Sequence, residues 1–189
     1  MDWNNCIVSL IDLVGIKDLA TQGGSAASAL MRRLHVTILQ KMDTGLPTLA
    51  HAYIWNDCVL LLAYLDGTKG GTEAVLRDID GLKRNVDALA DSYAIAVQGQ
   101  SFPDPSANPG SRALRRGEER VTFLRASSYA MANCFTIEKV LGRKMKKPWY
   151  VDSRIARRLR TPCDYKLRNV RLLPSGRERS IYVYEDYLW

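Results

Sequence analysis

The sequence has few cysteines, and they are too scattered to form a recognisable disulfide or zinc motif. Cys6, Cys58, Cys134 and Cys163 lie far apart, and no two have CxxC spacing. Three of them lie in apolar segments, where a reduced, buried thiol is the expected state. The pattern argues against a disulfide framework and against a zinc site.

Long apolar runs and the features of a secretory signal are also missing. The apolar stretches 7–16 and 59–65 are shorter than the roughly 18 residues that a membrane helix needs. Residues 1–5 have neither the cationic start nor the small-residue cleavage site of a signal peptide. We therefore expect a cytoplasmic protein without a membrane partner.

The composition is that of an ordinary folded protein of 189 residues, with 47% apolar and 25% charged residues. This length suits one domain over residues 1–189. The net charge of +7 is uneven, since segments 112–120 and 143–171 hold most of the excess. A basic surface attracts nucleoside triphosphates, nucleic acid or acidic lipid, and charge alone does not choose among them.

Apolar periodicity predicts alternating strands and helices in the first hundred residues. The predicted strands are 7–13, 49–55, 59–65 and 93–97, and the predicted helices are 26–42 and 72–92. Asn56 and Asp57 separate two strands as in a hairpin. The order is the βαββαβ pattern of ferredoxin-like α+β folds.

The first long helix is predicted to start at an N-cap, Ser25, and to pack one apolar face on the sheet. The residues expected on that face are Ala29, Leu30, Leu34, Val36, Ile38 and Leu39.

The second half of the chain is more punctuated. Proline, glycine and arginine over 101–117 predict a segment without regular structure, within a flexible basic arm over 101–120. A strand over 121–125 and a helix over 129–141, ended by Gly142, are expected next. An extension over 161–189 is predicted to form an edge hairpin from the runs 167–173 and 179–187.

Two aspartates are expected to meet at one edge of the predicted sheet. Asp12 ends the first strand and Asp57 lies in the hairpin turn, and the first and third strands of a βαββαβ sheet are neighbours. Turn chemistry alone also explains each aspartate. Paired carboxylates suit Mg²⁺ or Mn²⁺, and the backbone amides that follow, with Lys17, suit a triphosphate. Such a site is typical of two-metal phosphoryl or nucleotidyl chemistry.

These segments resemble a known family. Asp12-Leu13-Val14-Gly15-Ile16-Lys17 resembles the D-[IL]-x-G-F-[TS] segment of class III nucleotide cyclases, and Trp55-Asn56-Asp57 resembles their [IL]-G-D hairpin. The resemblance covers residues 5–140. In that family the aspartates bind two metal ions, which activate the ribose 3′-hydroxyl for attack on the α-phosphate and release pyrophosphate.

By position, the resemblance implies that Asp12, Leu13 (through its carbonyl) and Asp57 bind two Mn²⁺ or Mg²⁺ ions. It also implies that the segment from Gly15 through Ile16 to Lys17 holds phosphates. The protein is expected to be a homodimer, because each site in the family is completed by both subunits.

The base-reading position departs from the purine cyclases. They carry Lys or Glu four residues before the hairpin aspartate, where this chain has Tyr53. In this respect the chain resembles the bacterial Pycsar pyrimidine cyclases of anti-phage defence, which implies UTP as substrate and cyclic UMP as product. Trp55 either walls the base pocket or fills core.

A second departure concerns the residues that bind ribose and stabilise the transition state. The family places an Asn and, four residues later, an Arg on the helix after the fifth strand. Asn133 matches the Asn, but Ile137 occupies the Arg position. Arg125, Lys139 and Arg143 are candidate replacements for the missing arginine.

The leading prediction is a uridylate cyclase, a phosphorus–oxygen lyase that does not act on nucleic acid. The alternatives are a cytidylate or purine cyclase, or a non-catalytic cyclase-like module that binds nucleotide or RNA through its basic face. His35 and His51 have no metal-ligand spacing and are predicted to be structural or surface residues.

Overall fold

The structure is a computed structural model that describes residues 4–66, 71–101, 113–116, 119–122, 128–141, 149–159, 165–171 and 178–184. The strands are β1 (Asn4–Leu13), β2 (His51–Trp55), β3 (Cys58–Tyr64), β4 (Ser92–Ser101), β5 (Ala113–Arg116), β6 (Glu119–Thr122), β7 (Trp149–Asp152), β8 (Tyr165–Arg171) and β9 (Glu178–Tyr184). The helices are α1 (Ile16–Gln22), α2 (Gly24–Thr44), α3 (Gly71–Asp87), α4 (Tyr129–Leu141) and α5 (Ser153–Ala156). None of the helices described is both long and apolar enough to cross a membrane.

Seven strands form the main sheet, in the order β2-β3-β1-β4-β7-β9-β8. The first four strands of this order are antiparallel neighbours, and β7 joins β4 in parallel. The order β2-β3-β1-β4 confirms the predicted βαββαβ core and the α+β class. The assignment of all 189 residues to one domain stays a prediction.

The central strand β1 is buried on both faces, which explains why its sequence is a nearly continuous apolar run. Ile7 and Ile11 point to the side covered by α2 and α3, here called the two-helix face. Val8 and Leu10 point to the opposite side, covered by α4 and here called the one-helix face. A strand between two packed layers sets the position of every residue at its end, including Asp12.

The helices dock through their apolar stripes. On α3, Val75, Ile79 and Leu82 recur at helical spacing and are fully buried on the two-helix face. On the other side, α4 packs on β4 and β1. A Cβ built on Gly99 of β4 would lie 3.0 Å from the Cβ of Ala130. Glycine at this position therefore allows α4 to approach the sheet closely.

The predicted start of the first long helix is wrong. Gly15, at a left-handed φ of 82°, leads directly into the short helix α1, and α2 begins at Gly24 after a Gly23 N-cap with no side-chain cap bond. Ser25 therefore lies inside α2 and is not its N-cap.

The predicted apolar face of α2 is only partly correct. Its buried residues include Leu34 and Ile38, whereas Val36 is 45% and Leu39 58% exposed. Ala29 is exposed as well. Residues two apart on a helix point about 200° apart, so Leu34 and Val36 cannot share one face.

The second half of the chain gives mixed outcomes. α4 has the predicted bounds, and the C-terminal hairpin is present as β8 and β9. β8 is an edge strand, but β9 pairs with β7 as well as with β8. β5 lies in the segment predicted to lack regular structure and pairs with β6, so that prediction is wrong for these four residues.

Several predicted features lie outside the described residues. They are positions 102–112 and 117–118 of the basic arm, the end of the predicted strand at 123–125, Gly142, Cys163, and the hairpin positions 172–173 and 185–187. The other three cysteines, Cys6, Cys58 and Cys134, are buried thiols as predicted.

Candidate active site

The sheet brings Asp12 and Asp57 to the same edge. Asp12 pairs with Cys58 across β1 and β3, and Asp57 is the residue immediately before Cys58. The Leu13 amide donates a hydrogen bond to the Asp57 carbonyl, with N and O 3.1 Å apart. Asn56 completes the turn at a φ of 50°, a conformation that asparagine tolerates better than most residues. The predicted convergence of the two aspartates is confirmed.

The Asp12 carboxyl lies in an environment that disfavours its ionised form. Burial raises its pKa from 3.8 to about 6, and the charges of Asp57 and Glu138 contribute to the rise. The Tyr93 hydroxyl opposes the shift by donating a hydrogen bond to Asp12 Oδ2 at 2.6 Å. Among the described residues, none of the groups that shift this pKa is cationic. The described groups that act on Asp12 therefore carry an excess of negative charge.

Sequence reasoning missed Tyr93 and Cys58 as members of this site. Tyr93 pairs with Asp12 across β4 and β1, and both Tyr93 and Cys58 are 7% exposed. Burial raises the pKa of the Cys58 thiol and of the Tyr93 phenol, so both stay protonated at neutral pH. Cys58 is therefore a packing residue and not a nucleophile.

His35 supports the hairpin turn from α2. Its Nε2 lies 2.9 Å from the Asn56 carbonyl oxygen, to which it donates a hydrogen bond in the Nε2–H tautomer. This contact ties α2 to the turn that carries Asp57. The predicted structural role of His35 is confirmed.

The segment after Asp12 turns directly into α1. The Val14 amide donates to the Asp91 carbonyl at 2.8 Å, and Gly15 then caps the helix in the left-handed conformation. Ile16 is buried in the core and Lys17 is exposed. A ligand at this segment therefore meets the backbone of Ile16 and not its side chain.

Tyr53 lies on the one-helix face, the face that also carries the Asp12–Tyr93 pair. It pairs with Leu60 of β3, is half-buried, and packs against the core under α4. Its ring centroid lies 6.2 Å from that of His51. Trp55 ends β2 opposite Cys58, and its side chain is outside the described part of the molecule.

Helix α4 places its candidate residues in different environments. Ile137 is fully buried in the core, so the position of the family's arginine faces the chain's own sheet. Asn133 and Glu138 are half-buried, and five helical positions place them about 140° apart. They lie on opposite flanks of the core-facing stripe. Glu138 acts on Asp12 electrostatically, so Asn133 is on the flank away from this chain's own aspartates.

The described part of the molecule includes one of the three candidate replacements for the missing arginine. Lys139 is exposed on α4. Arg125 and Arg143 lie outside the described residues.

The donor set fits a hard divalent cation that is shared with a substrate. No group of three or more His, Cys, Asp and Glu side chains is placed to hold a metal within the ranges that the structure describes. Mg²⁺ usually takes only one or two protein carboxylates and completes its shell with water and substrate phosphates. Asp12 and Asp57 supply two carboxylates with surplus negative charge, which matches that mode of binding.

Comparison with known proteins gives matches in structure only. No family model and no curated protein matches the sequence. A bacterial light-regulated adenylyl cyclase aligns with a TM-score of 0.63 and 10% identity, over 96% of this chain and 90% of that one. The adenylyl cyclase CyaB from P. aeruginosa aligns with a TM-score of 0.61 and 12% identity, over 99% and 96% of the two chains.

A third match is the guanylate cyclase domain of RhGC from Catenaria anguillulae, in complex with GTP. It aligns with a TM-score of 0.63 and 6% identity, over 97% of this chain and 98% of that one. These likenesses establish that the chain has the fold of nucleotide cyclase catalytic domains.

Proposed function

We propose that this chain is a class III nucleotide cyclase that converts UTP to 3′,5′-cyclic UMP and pyrophosphate. The observation that carries the proposal is the convergence of Asp12 and Asp57 at one sheet edge, within the cyclase fold. Burial, to which the charge of Asp57 adds, disfavours the ionised Asp12 carboxyl in the ligand-free protein, as the raised pKa of Asp12 indicates. Such an arrangement is expected where a cation completes the site.

In this proposal Asp12, Asp57 and the Leu13 carbonyl bind two Mg²⁺ or Mn²⁺ ions. The bound cations supply positive charge that favours an ionised ribose hydroxyl and neutralises the phosphates. The backbone from Gly15 to Lys17 holds the phosphates.

The reaction is an in-line displacement within the substrate. The ribose 3′ hydroxyl gives its proton to solvent water and its oxygen bonds to the α-phosphorus, while the bond from that phosphorus to the bridging oxygen breaks and releases pyrophosphate. The task of the protein is to orient the two ends of the substrate, because positioning and charge stabilisation dominate catalysis at phosphorus.

A homodimer with sites at the subunit interface is part of the proposal. Asn133 lies on the flank of α4 away from the aspartates of its own chain, which supports a role in the site of the second subunit. There it would bind the ribose.

Tyr53 supports the choice of a pyrimidine. A half-buried phenol offers one hydrogen bond and a ring face, whereas the carboxylate of guanylyl cyclases offers two acceptors to the base. The anti-phage signalling role follows only from the resemblance to the Pycsar cyclases, whereas the cytoplasmic location is proposed from the short apolar runs of the sequence.

The test is turnover of four nucleotides by the purified protein. UTP, CTP, ATP and GTP are each incubated with Mn²⁺, and the products are separated by chromatography. We expect cyclic UMP to be the main cyclic product. A purine product would correct the base assignment, and no cyclic product from any nucleotide would overturn the proposal.

One observation favours a second candidate, a non-catalytic module that binds nucleotide or RNA. The buried Ile137 occupies the position of the transition-state arginine. For an RNA-binding module, affinity should survive Asp12→Ala and fall steeply with salt, because counterions are released from the phosphates. Absence of RNA binding would remove this candidate.

A further inference from the structure

The Asp12 carboxylate has a buried hydrogen-bond partner, Tyr93. The Tyr93 hydroxyl lies 2.6 Å from Asp12 Oδ2, and the two residues are cross-strand partners on β4 and β1. Tyr93 is 7% exposed, so its ring is fixed by packing on the one-helix face. At this distance the phenol O–H donates and the carboxylate oxygen accepts.

The strand that carries Tyr93 is itself anchored next to it. The Ser92 hydroxyl donates to Asp87 Oδ1, and Lys83 Nζ contacts Asp87 Oδ2, both at 2.6 Å. The Lys83 side chain is only 3% exposed. Through the partly exposed Asp87, this chain of contacts runs from α3 to the first residue of β4, which restricts the position of the next residue.

We propose that Tyr93 is a positioning residue for metal binding by Asp12. Its hydroxyl engages Oδ2 and fixes the rotation of the carboxylate, which leaves Oδ1 without competition from the phenol. The inference rests on the proposed function for the assignment of Asp12 as a metal ligand. Partners that orient a ligating carboxylate typically contribute about 10- to 100-fold to metal affinity.

The test is Tyr93→Phe, which removes the hydroxyl and keeps the ring. Mn²⁺ is titrated into the nucleotide-free protein, and free Mn²⁺ is followed by electron paramagnetic resonance. We expect affinity to fall by about 10- to 100-fold. Melting in EDTA checks that the variant is folded, and Tyr150→Phe is the matched control, because Tyr150 is 3% exposed on the same face.

Turnover gives a second readout that a packing role would not move. In Tyr93→Phe the Mn²⁺ concentration for half-maximal rate should rise by the same factor, and saturating Mn²⁺ should restore most of kcat. Equal Mn²⁺ affinity in wild type and Tyr93→Phe would overturn the inference, and so would absence of Mn²⁺ binding to the wild type. Mn²⁺ binding that depends on Tyr93, without any cyclic product, would support this inference while refuting the proposed function.

Discussion

The carboxylates on the two faces of the sheet have different partners. On the two-helix face, Asp80 lies 6% exposed, but its carboxylate contacts Arg84 Nε at 2.8 Å and accepts a hydrogen bond from Trp149 Nε1 at 3.2 Å. On the one-helix face, the Tyr93 hydroxyl donates a hydrogen bond to Asp12, and none of the described groups that shift the Asp12 pKa is cationic, whereas Asp57 and Glu138 repel the carboxylate. Burial raises the pKa of both carboxyls, but Arg84 offsets part of the rise at Asp80, whereas no described cation does so at Asp12.

The two faces also differ in the number of helices that cover them, and this difference points to the same division of roles. Helices α2 and α3 bury one face with fully enclosed side chains such as Ile38 and Ile79. The other face, under α4, leaves Tyr53 and Tyr64 half-exposed beside its core. We infer that the first face provides stability, while the second retains polar and aromatic groups for binding. The predictions below test this division.

The largest effect is expected from Asp57→Ala, on the ligand side of the comparison. Loss of one of two carboxylates should reduce turnover by about 1,000-fold or more, which corresponds to roughly 4 kcal/mol of barrier. Asp57 is partly exposed at a turn, so the melting temperature should change little. The rate of cyclic-nucleotide formation measures the effect, with the exposed Asp43→Ala as control. Retained turnover would remove Asp57 from the mechanism.

The converse prediction concerns the two-helix face. Ile79→Ala leaves a cavity under α3 and should lower the free energy of unfolding by about 2–5 kcal/mol, as measured by urea titration. The rate per folded molecule should be unchanged, because the side chain lies across the sheet from Asp12. Leu39→Ala, at a position 58% exposed, should change stability by less than about 0.5 kcal/mol. A loss of turnover per folded molecule in Ile79→Ala would contradict the inference that the two-helix face serves stability alone.

Local patterns were enough to predict the elements that build the site. The Asn56–Asp57 turn between two apolar runs predicted the hairpin, and the strand–helix order predicted that β1 and β3 are neighbours. These features depend on residues close in sequence or on a topology with few alternatives. Convergence of the aspartates followed from them.

The sequence alone could not predict the register between β1 and β4 or the side of α4 that contacts the sheet. That Tyr93, the first residue of a predicted strand, pairs with Asp12 depends on β1–β4 register, which no short motif specifies. The influence of Glu138 on Asp12 requires knowing which flank of α4 lies over the strand ends. Val36 and Leu39 were wrongly assigned to the buried face of α2 for a related reason. Apolar residues are frequent in that part of the helix, so the sequence alone does not show which of them face the sheet.

A smaller effect is expected on stability when Asp12 is neutralised. The folded-state pKa of Asp12, about 6, lies above its ordinary value of 3.8. Ionisation therefore destabilises the protein as pH rises from about 4 through 6, and the loss persists at higher pH. Asp12→Asn cannot ionise and still accepts the Tyr93 hydrogen bond. In EDTA at pH 7.5 the variant should melt a few degrees above the wild type. For a chain of this size, each kcal/mol of added stability raises the melting temperature by about 2–4 °C.

The pH dependence provides the control for this prediction. At pH 4 the wild-type carboxyl is protonated, so the difference between wild type and Asp12→Asn should largely disappear. Added Mn²⁺ should raise the melting temperature of the wild type but not of Asp12→Asn. A variant less stable than the wild type at pH 7.5 would show that the negative charge is already compensated in the folded protein.

The smallest effect is expected at Tyr53. This residue tests the exposed aromatic side chains of the one-helix face and not its charged groups. If the phenol reads the base through one hydrogen bond, Tyr53→Phe loses about 1 kcal/mol, or roughly five- to tenfold in kcat/KM for UTP. The ratio of UTP to CTP turnover should change with it, whereas Tyr64→Phe on the same face should leave that ratio alone. An unchanged ratio in Tyr53→Phe would assign Tyr53 to packing, and base selection would then have to come from another part of the face that carries Asp12.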